Sequence, residues 1–170
     1  MKMKYFCLLL ILFFLAPLIE AQESKTYKND LSVPKEKDFS LGLIIGSPTG
    51  ATAKYWTSRR NAIDFALGTP FDSDVNFHFS GDYLWHFPIL ANLPGDLPFY
   101  TGFGARLRSI NKPKESTKID FGPRLPIGIA FLPTHVPLEF FAEIGLVVVF
   151  IPKGELNIDG GVGLRYRFGG

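Results

Sequence analysis

From Phe39 onward, apolar and polar residues alternate with period two, the pattern of β-strands that present two unlike faces. In residues 75–87, Val75, Phe77, Phe79, Gly81, Tyr83, Trp85 and Phe87 alternate with Asn76, His78, Ser80, Asp82, Leu84 and His86. One face of that segment is aromatic and the other polar. The same split sets Ile63, Phe65 and Leu67 against Asp64, Ala66 and Gly68, and Phe99, Phe103 and Leu107 against Tyr100, Gly104, Arg106 and Arg108. It recurs as Ile119, Phe121, Leu125, Ile127 and Ile129 against Asp120, Gly122, Arg124 and Gly128. Leu138, Phe140, Ile144, Leu146, Val148 and Phe150 oppose Glu139, Glu143 and Gly145; Leu156, Ile158, Val162, Leu164, Tyr166 and Phe168 oppose Glu155, Asn157, Asp159, Arg165 and Arg167. With FSLGLIIG at 39–46 and ATAKYWT at 51–57, the predicted strands number eight.

Turn-forming residues separate them: SPTG at 47–50, SRRN at 58–61, PFDSD at 70–74, PILANLPGDL at 88–97, INKPKESTK at 110–118, PTHVP at 133–137 and PKG at 152–154. No segment of comparable length among them reads as a helix. An even number of antiparallel strands, each following the last, closes without leaving an edge. The expected fold is therefore all-β: an eight-stranded antiparallel up-and-down barrel over residues 39–170.

The first residues have a different character. Lys2 and Lys4 precede an apolar run from Tyr5 to Ile19, closed by Pro17 and Glu20 and followed by Ala21 before the polar QESK. This is the order of a secretory signal peptide over residues 1–21, and the run falls short of the roughly 20 apolar residues a spanning helix needs. Cys7, the chain's only cysteine, lies inside it, so the mature chain is expected to contain none. Residues 22–38 are polar and charged without periodicity and read as a flexible N-terminal tail.

Alternation alone leaves open whether the apolar face surrounds a ligand, as in a soluble lipocalin-like barrel, or meets lipid. The composition of the polar face favours lipid. It combines glycines with charges of both signs, and such small residues suit a narrow interior. Asp64, Asp82, Arg106, Arg108, Asp120, Arg124, Glu139, Glu143, Asp159, Arg165 and Arg167 fall on it, with Lys54 and Glu155 on the same phase. Acids and bases in near-equal number can pair inside a lumen, which makes their burial tolerable. The other face carries aliphatic residues in mid-strand and aromatic ones near strand ends, at Tyr55, Trp85, Phe87, Phe99, Phe150, Tyr166 and Phe168. That placement matches the aromatic girdles of transmembrane barrels. Remaining soluble without detergent would instead indicate the lipocalin-like alternative.

LGLIIGSPTGATAKYW, NAIDFALG, DYLWHF, LPFYTGFGARL, PLEFFAEIGL and GLRYRF together resemble the small bacterial outer-membrane β-barrel proteins of OmpA/OmpX-like architecture. The resemblance spans residues 39–168. It implies a transmembrane barrel in a bacterial outer membrane with both termini in the periplasm. The implied partners are membrane lipids and, during assembly, the insertion machinery. One departure is that Gly169 and Gly170 follow Phe168, where the family commonly ends on an aromatic residue, so recognition would need a shifted signal.

Over the whole chain, 18 basic residues face 16 acidic ones among 170. That balance excludes the basic excess of a nucleic-acid protein. A single cysteine and isolated histidines supply no metal-ligand set, and no cofactor is expected. His78, Ser80 and Asp82 share a face, but residues two apart on a strand lie roughly 6.6–6.8 Å apart and point alike, so no catalytic group is assigned. GFG at 102–104 and GGVG at 160–163 lie within predicted strands and lack the loop-and-helix context of a phosphate site. Lys112, Lys114 and Lys118 are the candidate surface contacts, for lipid headgroups or an extracellular protein ligand. The expectation is a monomeric barrel with a structural or surface-interaction role, its lumen plugged by paired charges. A narrow channel and a lipid A-modifying enzyme are the alternatives.

Overall fold

Residues that alternate in polarity form strands, and each strand is hydrogen-bonded to the next in sequence order. The computed structural model describes residues 38–69, 75–93, 95–110, 118–151 and 154–168. Its strands are β1 (Phe39–Ser47), β2 (Thr49–Trp56), β3 (Asn61–Thr69), β4 (Val75–Leu93), β5 (Gly95–Ile110), β6 (Lys118–Pro133), β7 (Leu138–Val149) and β8 (Glu155–Arg167). All neighbours are antiparallel, and β8 returns to β1 from Ser40↔Arg167 to Ser47↔Gly160, closing the barrel. The fold is all-β, with no helix among the described residues. Phe39 and Arg167 lie at one rim, called here the terminal end; the opposite rim is the far end.

Several strand ends differ from the sequence reading: Asn61, Ile110, Lys118 and Pro133, expected in turns, lie in strands. Residues 88–93 and 95–97, expected in a long turn, continue β4 and β5 through Pro88↔Pro98 and Leu90↔Leu97 to Leu93↔Gly95. Register shifts on both sides of Leu90 accommodate the prolines, which lack an amide donor, without ending the ladder. Thr49 and Gly50, assigned to a turn, begin β2. The turn before them is tight. Gly46 adopts a φ of 146°, a conformation open to glycine, and its N–H donates to Thr49 Oγ1 at 3.0 Å.

The predicted leader and tail lie outside the described residues, except Asp38. That residue is buried, and its carbonyl accepts a hydrogen bond from the Trp56 N–H at 2.8 Å. Outward positions are apolar and exposed along most of the barrel; Leu43 is 69% and Ile144 60% accessible. Inward positions are buried. The core of this fold is thus the lumen, and its largest buried side chains include Arg106, Arg165 and Lys54 beside Trp56 and Tyr100.

Candidate functional site: the charged lumen

The pleat turns every second residue inward, so charges distant in sequence meet across the barrel. Nearer the terminal end, Lys54 of β2 places its Nζ 2.7 Å from Glu139 Oε1 of β7. Arg165 of β8 donates to the same oxygen at 2.9 Å and lies 2.8 Å from Asp64 Oδ1 of β3. Its Nε and Nη2 also donate to Thr52 Oγ1 at 3.0 and 2.7 Å. The Phe141 ring centroid lies 3.8 Å from the Arg165 Cζ, so one guanidinium meets two carboxylates, a hydroxyl and an aromatic face.

Arg124 of β6 occupies the middle. It donates to Asp82 of β4 through Nη1 and to Glu143 Oε1 of β7 through Nη2 at 2.6 Å. The Tyr100 hydroxyl donates to the other Glu143 oxygen at 3.0 Å. Toward the far end, Arg106 spans Asp159 Oδ1 at 2.7 Å and Asp120 Oδ2 at 2.9 Å, while Arg108 adds a 2.7 Å bond to Asp120. Arg124 Nε lies 3.9 Å from Asp159 Oδ2, linking the two groups. The cations are mainly arginines, whose forked donors can engage two acceptors at once. Since the members come from β2 to β8, the network cross-links the barrel wall.

Space for these side chains comes from glycine. A Cβ on Gly145 would lie 2.6 Å from Arg124 Nε and 2.8 Å from its Cζ. Gly145→Ala is therefore expected to destabilise the barrel by ~1–3 kcal/mol through overpacking. Urea unfolding in lipid vesicles measures this, and unchanged stability would show that Arg124 does not occupy that space.

The remaining expected residues are placed as follows. Arg167 is buried beside Ser40 across the β1–β8 ladder. Glu155, on the inward phase by alternation, is exposed at the start of β8, and alternation alone does not register where a lumen ends. Tyr55, Trp85, Phe87, Phe99, Tyr166 and Phe168 face outward at the terminal end, where Tyr166 and Phe168 meet at 5.0 Å between ring centroids and Phe87 and Phe99 at 6.3 Å. Phe150 lies at the far end. Lys118 begins β6, whereas Lys112 and Lys114 lie outside the described residues. His78, Ser80 and Asp82 all turn into the lumen, and among the described residues no hydrogen bond joins His78 to Ser80.

No protein-family model matches the chain, and no curated protein matches it either. Among solved structures, it is similar to the crystal structure of the N-terminal β-barrel domain of Pseudomonas aeruginosa OprF. The TM-score is 0.64 at 17% identity, covering 79% of this chain and 100% of that one. The fold is that of this barrel domain, a closed eight-stranded antiparallel barrel. Within the barrel, several inward side chains escape a search for charges: Thr52, Trp56, Tyr100, Leu132 and Phe141. Their phase reveals them. Trp56 stands two residues beyond Lys54, Phe141 midway between Glu139 and Glu143, and Leu132 on the parity of Arg124 and Gly128.

Proposed function

We propose that this chain is an integral outer-membrane barrel whose role is structural or surface-binding, with a lumen closed by its own side chains. One observation carries the reading: the barrel is inside out relative to a soluble protein. Exposed Leu, Ile, Val and Phe form its outer wall, while Lys54, Arg106 and Glu139 are fully buried. Water cannot favour an apolar wall of this extent, whereas a bilayer can. Eight strands enclose an interior just wide enough for side chains, and paired charges and rings fill it here. The resemblance to outer-membrane barrels of OmpA/OmpX-like architecture supports the location.

Ser80 is 2% accessible and its aligned neighbour His78 makes no hydrogen bond to it among the described residues, which favours the non-enzymatic reading. Action through loops remains, and Lys112, Lys114 and Lys118 are the basic group for it. Replacing these three lysines by glutamine is expected to weaken attachment to anionic vesicles or to a surface ligand without changing barrel stability; retained attachment would remove the loop from the proposal. For location, the full chain expressed in bacteria is expected to sediment with the outer membrane and resist alkaline carbonate extraction. Recovery in the soluble periplasmic fraction would contradict it.

A further inference from the structure

The lumen is filled by two chemically different layers, and the structure assigns them different tasks. We infer that the seal against water and ions is the apolar layer at the terminal end, built from Trp56, Leu84, His86, Tyr100 and Leu132, whereas the charge network braces the wall. This inference rests on the closed membrane barrel proposed above and names which part of the interior closes it.

The layer is continuous over much of the barrel's circumference. Trp56 of β2 and His86 of β4 stack with centroids 4.3 Å apart, and His86 meets Tyr100 of β5 at 5.2 Å. Leu84 and Leu132, each 1% accessible, join the same apolar cluster from β4 and β6. The extension of β5 and β6 makes this possible: Asp96↔Leu132 pairing carries β6 past the point where its ladder with β7 ends at Phe131↔Phe140. On the β8–β1 side, Arg167 and Ser40 are buried opposite each other at the terminal end.

The layers meet where Lys54 Nζ lies 4.5 Å from the Trp56 ring centroid and where the Tyr100 hydroxyl donates to Glu143. Trp56 Nε1 and His86 Nε2 have no hydrogen-bond partner among the described residues, so the charge layer differs in carrying ionised groups. Among the described residues, Asp82 Oδ1, Asp120 Oδ1 and Glu139 Oε2 accept no hydrogen bond, and Arg124 and Arg108 each have a further carboxylate within 4.0 Å. Carboxylate oxygens with spare acceptor capacity attract water, and guanidinium groups within reach of several carboxylates can shift between them. An apolar constriction, by contrast, closes by expelling water. Ion passage is therefore controlled by the ring layer even though the charges occupy more of the lumen.

Planar-bilayer recording with the purified full chain separates the two layers. The wild type is expected to be silent. Leu84→Asn with Leu132→Asn keeps the number and branching of side-chain heavy atoms and makes the layer hydratable; discrete steps at least tenfold above the wild-type baseline are expected. Asp82→Asn and Glu143→Gln with Arg124→Gln remove the central charges and are expected to stay at baseline. Each variant is first checked for native β-structure by circular dichroism, and Leu132→Asn alone replaces the double variant should that fail to fold. Steps from the charge variant, or silence from a folded ring-layer variant, would overturn the inference. Steps from the wild type would instead overturn the closed-lumen reading itself.

Discussion

Replacing Arg124 by alanine is expected to destabilise the barrel by about 3–5 kcal/mol, because it leaves buried carboxylates facing each other without their shared cation. Arg124 pairs with Asp82 and Glu143, so a single deletion strands two acids contributed by β4 and β7, whereas Asp159, 3.9 Å from Arg124, keeps Arg106. A surface pair would lose at most about 1 kcal/mol, since water replaces the missing partner. Adding Asp82→Asn and Glu143→Gln to Arg124→Ala is expected to recover part of the loss by removing the stranded charges. Urea unfolding in lipid vesicles, followed by the fluorescence of Trp56 and Trp85, measures both steps. A loss below about 1 kcal/mol would mean that water reaches the site and that the network is not a buried brace.

The second large effect concerns the other face. Ile144→Arg is expected to cost about 2–4 kcal/mol if its side chain meets the hydrocarbon interior. Ile144 is 60% accessible and stands in the middle of β7 between Ala142 and Leu146, with Glu143 and Gly145 turned inward. On a water-facing surface, the same substitution would change stability by no more than about 0.5 kcal/mol. Equilibrium unfolding in vesicles distinguishes the two, and a near-zero change would place this wall in water. Exposed apolar residues on both sides of Ile144, at Phe140, Leu146 and Val148, make lipid the consistent surroundings.

Most of the architecture was legible because a closed barrel writes its inside and outside as a period of two. The phase of His78, Ser80, Asp82 and Leu84 in β4, and of Glu139 and Glu143 in β7, marked an inward face before any contact was known. Pairing partners were not legible. Glu139 meets Lys54, 85 residues away in sequence, because both the stagger of the strands and the barrel's closure bring β7 opposite β2. Strand ends were also hidden. Proline and glycine at 88–97 read locally as turn formers, yet the β4–β5 ladder passes through them by shifting register. The ring layer was obscured for another reason: Leu84, Tyr100 and Leu132 occupy an otherwise polar face, and only the axial position of that face shows that they gather at one rim.

The inside-out character of the barrel is tested most directly by spin labels placed singly from Leu138 to Val149 in a Cys7→Ala background, with the protein in lipid vesicles. Labels at Phe140, Ala142, Ile144, Leu146 and Val148 are expected to collide readily with oxygen dissolved in the bilayer and poorly with a water-soluble nickel chelate. Labels at Glu139, Phe141, Glu143 and Val147 are expected to collide with neither, giving an accessibility profile of period two along β7, with Gly145, where a Cβ would meet Arg124, left unlabelled. Strong collisions with the nickel chelate at the even-numbered positions would place the apolar wall in water and contradict a membrane-embedded barrel.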